Sequence, residues 1–277
     1  MNFYILKHHD WKTEKGYADT EWMTSNSNYG DAPRCPVCNK LIGGKLWLPP
    51  YQIQLEMFTK QFGNVVLGTG GVELVVDDYF KSRYEETDLT GLELLGEAEV
   101  VKLICRPGVR KKQLGKPPKY YVMRIKDGCA AIDQKMSEFV FQLNCEPTCD
   151  YCRSGIVMRY SRIVIDESTW DGTDIFLARG IGAKKTTSQR FKDWWDSCNF
   201  NNCKVIPAEE EQVDFHDGMS PEEYAYRCKY GSKVPWPPIS EDIEELAKID
   251  PEVHIHFRFY QKLRQVDQKI LADKGQQ

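Results

Sequence analysis

The sequence predicts an α+β fold: two related α/β halves joined by a four-cysteine zinc-knuckle pair, with a mainly helical C-terminal extension. Three observations carry that expectation. Short apolar runs alternate with stretches that open on helix-capping residues. Two CxxC pairs, Cys35/Cys38 and Cys149/Cys152, stand 114 positions apart. At about residue 208 the composition changes, and acids, prolines and capping serines take over.

In chain order, "NFYIL" (2–6) reads as a first strand and the polar stretch 10–34 as a long loop leading to the first CxxC. Pro49-Pro50 excludes a helix across "LWLPPYQIQLEMF". "GGVELVV" (70–76) is strand-like; Asp77 or Asp78 then caps a helix to about Glu86, and "LTGLELL" turns into a short strand. Residues 102–126 hold nine Lys and Arg and no acid, and Pro107-Gly108 and Pro117-Pro118 mark most of the run as loop. "YYVMRI", "EFVFQL" (138–143), "GIVMRYSRIVID" and part of "TDIFLARGIGAKKT" are expected as strands. Ser188 caps "QRFKDWWDS", and "CKVIPA" closes this part.

Beyond it, 208–218 reads as an acidic linker. Ser220, Pro221 and Glu223 begin a helix that ends at Gly231, and Ser240 begins another that runs to Pro251. Residues 253–260 fit strand or helix, and 261–274 have apolar residues at helical spacing.

The helical units look duplicated. Setting Val75–Leu95 against Thr186–Ile206 aligns Phe80-Lys81 with Phe191-Lys192, Tyr84 with Trp195, and Leu94-Leu95 with Val205-Ile206, at a constant shift of 111. The CxxC pairs obey nearly the same shift. The expected organisation is a double-CxxC domain over 1–207, with halves of about 1–100 and 127–207, and an extension over 208–277.

Composition narrows the class. In 277 residues, 41% hydrophobic content supports a sizeable core, while a net charge of −4 makes nucleic acid an unlikely partner. No apolar run approaches the roughly 18–20 residues of a membrane span, and the patch in "MNFYILKHHDWK" is too short for a signal core. A cytoplasmic, non-membrane protein is the expectation. Ten cysteines are too sparse for a disulfide scaffold, and in a reducing compartment paired CxxC spacings point to metal or thiol chemistry. One tight turn aims both sulfurs of a CxxC at one ion, so Cys35, Cys38, Cys149 and Cys152 are the candidate ligands of a structural zinc. Cys145, in "CEPTC", offers a substitute ligand. The remaining cysteines read as small buried hydrophobes.

No catalytic constellation emerges, so no enzyme is expected. "GTGG" (68–71) lacks the Lys-Ser/Thr of a phosphate loop, and no GxSxG or HExxH occurs. His8-His9 and His254/His256 lack accompanying ligands. A thiol oxidoreductase would need a CxxC at a helix N-terminus, and "CPVCNKLIGG" has no helical run. The basic run, with Tyr120-Tyr121 to stack on bases, leaves a zinc-dependent nucleic-acid-binding or regulatory module as the alternative. Trp194-Trp195 points in two directions on a helix, which leaves one ring for a groove or partner.

Over residues 1–207 the order of features resembles the double-CxxCG immunity proteins of bacterial polymorphic toxin systems. The resemblance rests on "RCPVC" after a polar loop, "GGVELVV" with its helix, and the second CxxC ahead of "DIFLARG…TTSQRFKDWW". In that family a glycine follows each second cysteine; here Asn39 and Arg153 take those places. The resemblance implies a non-enzymatic protein that neutralises a cognate toxin through a protein–protein interface.

Overall fold

The structure, a computed structural model, describes residues 1–8, 18–22, 28–66, 72–141 and 145–214, with the backbone alone described over 18–22 and at 214. Its strands are β1 (Phe3–His8), β2 (Ala18–Trp22), β3 (Asn28–Tyr29), β4 (Trp47–Leu48), β5 (Gln52–Met57), β6 (Val65–Val66), β7 (Glu73–Asp77), β8 (Leu92–Cys105) and β9 (Tyr120–Ile132). They continue with β10 (Val140–Phe141), β11 (Val157–Tyr160), β12 (Ile165–Asp166), β13 (Ile175–Arg179), β14 (Lys185–Ser188), β15 (Cys203–Pro207) and β16 (Val213–Asp214). Two α-helices interrupt them, α1 (Asp78–Glu85) and α2 (Gln189–Cys198).

The chain divides into two compact units. The smaller contains Val140–Glu146, Ile156–Tyr160 and the chain from Val213, and its described part is the antiparallel sheet β10-β11-β16. The larger is built on one mixed sheet with the path β15-β1-β14-β13-β9-β8-β5-β2, to which β6, β7 and β12 are added.

Several strands differ from the sequence reading, because the backbone that pairs with them is brought in from distant parts of the chain. β8 runs fourteen residues and β9 thirteen, which confines the basic loop to 106–119. "QIQLEM" is β5, an alternating strand parallel to β8, and the loop expected over 10–34 contains β2 and β3. "GIVMRYSRIVID" breaks into β11 and β12. The start of the expected helical extension is a 3-10 turn, Ala208–Glu210, followed by β16. The helices placed at 220–231, 240–251 and 261–274, the 253–260 segment, the 68–71 turn, His9, His254 and His256 lie outside the described residues.

The helices form where local chemistry places them. Asp77 Oδ1 accepts from the Phe80 N–H at 2.8 Å, and Ser188 Oγ accepts from the Phe191 N–H at 3.3 Å. Each cap thus satisfies a donor that the first helical turn leaves over. Both helices pack on one sheet face, where Phe80, Tyr84, Phe191, Trp194, Trp195 and Phe200 interlock. Trp194 packs half-buried against this cluster, while Trp195 lies within it. Because neighbouring strand residues face opposite ways, Leu74 and Val76 join that core while Val75 joins Trp47, Leu55 and Tyr120 beneath the other face.

The surroundings of the two helices match in register. β9 lies between β7 and β8, with Asp77 opposite Tyr120, Leu74 opposite Met123 and Leu92 opposite Ile125. β1 lies between β14 and β15, with Ser188 opposite Phe3, Lys185 opposite Leu6 and Cys203 opposite His8. From Asp77 to Ser188 and from Leu92 to Cys203 is 111 positions; from Phe3 to Tyr120 and from His8 to Ile125 is 117. The match holds until Leu94, where a bulge shifts β8. So β1 completes the frame around α2, and β9 completes the frame around α1.

Cross-links between the frames match as well. Asn64 donates to the cap Asp77 at 2.7 Å, and its amide oxygen accepts from the Asn201 N–H. Asn201 returns the bond to the Asn64 N–H. On the other side Ser188 donates to Asp174 at 2.7 Å, Asp174 accepts from the Thr90 N–H, and Thr90 Oγ1 accepts from the Asp174 N–H. Next to Thr90, Gly91 has φ +109, and a Cβ there would lie 1.9 Å from the Ile175 carbonyl oxygen, so only glycine fits.

One buried charge gives the fold a pH dependence. Glu73, 4% exposed, has its carboxyl pushed up to about 7, by burial first and with Asp127 adding to it. The Trp47 N–H, Arg124 and Lys185 oppose the shift without cancelling it. A carboxyl raised on folding stabilises fully below its unfolded value, and the benefit is lost as pH rises through about 7. Glu73→Gln is therefore expected to leave the urea midpoint unchanged near pH 4. At pH 8 it should raise stability on the order of 1–3 kcal/mol. Equal effects at both pH values would refute this reading.

Candidate metal centre

The first knuckle starts from a narrow turn. Arg34 bridges to Leu41, the Cys35 N–H donates to Lys40 O at 2.8 Å, and the Asn39 N–H donates to Cys35 O at 2.9 Å. Within that turn the Val37 and Cys38 N–H groups point at Cys35 Sγ, at 3.4 and 3.5 Å. Asn39 has φ 61, a left-handed conformation that asparagine tolerates.

The second knuckle repeats the first. The Arg153 N–H donates to Cys149 O at 2.8 Å, and Arg153 has φ 50. A long side chain is disfavoured there, and the structure shows what offsets the strain. Arg153 Nη1 donates to Ile132 O and Nη2 to Asp166, both at 2.7 Å, while Nε reaches Asp150 O. Three hydrogen bonds hold the turn that a glycine would otherwise make. Nothing in the sequence announces the two that reach furthest, because their acceptors, Ile132 O and Asp166, come from β9 and β12.

The four sulfurs named by the sequence come together. Cys35 Sγ lies 3.9 Å from Cys149 Sγ, Cys38 Sγ lies 3.6 Å from Cys152 Sγ, and all four are within 4.8 Å of one another. Lys40 reaches across to Thr148, and Ile42 packs against the cluster. Cys145 is not a member of the group. Of the others, Cys129, Cys198 and Cys203 are buried as expected, Cys105 is half-buried, and Cys228 lies outside the described residues.

The electrostatics ask for a cation. Burial acts to raise the Cys35 thiol, but the Cys38 and Val37 N–H groups and the neighbouring thiols outweigh it and lower it to about 7. Burial first, then hydrogen bonds with its sister cysteines, pushes Cys152 up to about 12. Four thiolates this close repel strongly unless a dication compensates them. Tetrahedral thiolates around an ion at about 2.3 Å stand about 3.8 Å apart, and the two measured separations bracket that value. The donor set therefore fits a thiophilic metal ion.

The rival sites fare differently. Tyr120 is buried with its hydroxyl on Gly63 O, and Tyr121 bonds Asp78 beneath Lys81, so neither ring is an open stacking platform. Neither CxxC opens a helix. Among the described residues no helix is long and apolar enough to cross a membrane. No known family model matches the chain, and no curated protein is similar enough to count as a match.

Proposed function

We propose that this chain is a duplicated α/β module clamped by structural zinc, acting in the cytoplasm as an immunity protein that neutralises a cognate toxin by binding it. The observation that carries the reading is the closed four-cysteine cluster joining two equivalent knuckles. Four protein thiolates fill a tetrahedral sphere and leave no position for water or substrate, which favours a structural over a catalytic ion. All-sulfur tetrahedral coordination suits zinc or iron, and zinc, which has no redox chemistry, is the ion a purely structural clamp calls for. The lowered Cys35 thiol would also suit redox chemistry, but at 2% exposure it is closed to a substrate. The toxin-binding role rests on the resemblance in feature order over 1–207, and on a rigid scaffold being what a binding surface requires.

Co-expression tests the role. The chain should relieve the lethality of the toxin encoded beside its gene, and Cys149→Ser should abolish the relief; survival unchanged by the chain would overturn the proposal. One observation favours the nucleic-acid alternative: Arg110, Lys111, Lys112 and Lys116 are exposed and, among the described residues, form no ion pair. That reading requires an affinity for RNA or DNA that falls steeply with salt, so flat or absent binding removes it.

A further inference from the structure

A cavity of about 310 Å³ opens beside the cysteine cluster, with Cys152 in its wall. The side chains that line it are mainly aliphatic, from Leu41, Ile42, Val72, Leu177 and Ile181, and polar surface of about equal extent accompanies them. The one charged residue of the lining is Arg179, at the end of β13.

Arg179 differs from the other half-buried arginines of this unit. Arg124 is paired with Asp127 at 2.9 Å and Arg153 with Asp166 at 2.7 Å. The Arg179 guanidinium lies 4.1 Å above the Tyr151 ring, its Nε is closed to solvent, and Nε has no hydrogen-bond partner. Among the described residues no carboxylate forms an ion pair with it. Nε, closed to solvent, is out of a ligand's reach, so the outer Nη edge of the guanidinium is what a planar carboxylate, its best geometric complement, would meet. An aliphatic pocket with a single fixed cation selects an anionic head carrying an apolar body.

We propose that this cavity binds a carboxylate with a short aliphatic body, the carboxylate on Arg179 and the body against Leu41, Leu177 and Ile181. Gly182 provides a way to block it. It lines the cavity, its φ lies outside the left-handed region, and a Cβ there meets nothing within 4 Å. Gly182 is exposed, so Gly182→Leu adds a bulky side chain at the cavity's rim without straining the backbone.

The test is calorimetric titration of the full metal-loaded chain with hexanoate, hexanamide, N-acetyl-leucine and inorganic phosphate. Hexanoate should bind at least tenfold tighter than its neutral amide. Arg179→Gln should weaken it by tenfold or more, and Gly182→Leu should abolish it with metal content and circular dichroism unchanged. N-acetyl-leucine binding tighter than hexanoate assigns the carboxylate to a peptide C-terminus, and the reverse order to a free acid. The proposal is overturned by equal affinity for hexanoate and hexanamide, by tighter binding of phosphate, by binding that survives both variants, or by no binding at millimolar concentration.

Discussion

Cys149→Ser is expected to empty the metal site and to lower the thermal midpoint by on the order of 10 °C or more. Wild-type protein should carry one metal ion per chain, and the variant close to none. The size follows from what the site joins. Cys35 and Cys38 belong to a turn near the N-terminus and Cys149 and Cys152 to one beyond β9, so an ion held by all four would close a long loop. It would also neutralise thiolates that otherwise repel in a partly desolvated space. Cys145→Ser is the matched control, because Cys145 lies outside the four-sulfur group and its loss should leave metal content unchanged. Elemental analysis and thermal unfolding of both variants decide the matter. Full metal in Cys149→Ser, or none in Cys145→Ser, would show that the ligands are misassigned.

Phe80→Ala and Phe191→Ala should each cost roughly 3–5 kcal/mol, read as a lower urea midpoint at unchanged slope. Both rings are fully buried. Each follows its helix cap by three residues, and Trp194 contacts both, at 5.4 Å from Phe80 and 5.2 Å from Phe191. Since the rings share that neighbour, the double variant should be non-additive, with a coupling of about 0.5–3 kcal/mol. A cost under about 1 kcal/mol for one ring, with the other near 4, would break the equivalence of the two helical units.

The parts legible in the sequence were those with short-range causes. Asp77 and Ser188 mark helix starts because a cap needs only an oxygen three residues before a free N–H. The i,i+4 aromatic pairs Phe80/Tyr84 and Phe191/Trp195 mark the buried faces for the same local reason. CxxC names the four sulfurs because one turn aims two thiols. Other features escaped that reading. Tyr120-Tyr121 and Trp194 looked available in the sequence and are occupied, because their partners, Gly63, Asp78 and Phe80, are distant in the chain. Arg179 had no sequence signal at all: a guanidinium left without an acceptor is defined by which acids fail to reach it.

The sequence by itself determined the two capped helices, their aromatic faces, the 111-residue shift between them and the identity of the clustered thiols. Only the tertiary structure decided that β9 fills the gap between β7 and β8 while β1 fills the gap between β14 and β15. It alone decided that Arg153 can hold a left-handed turn, since Ile132 O and Asp166 bind its side chain. The physical reason is the range of the interactions. Helix caps and CxxC turns close within a few residues, so their chemistry is written locally. Strand pairing is satisfied by any backbone of the right register, and which backbone arrives is settled by burial on both sheet faces at once.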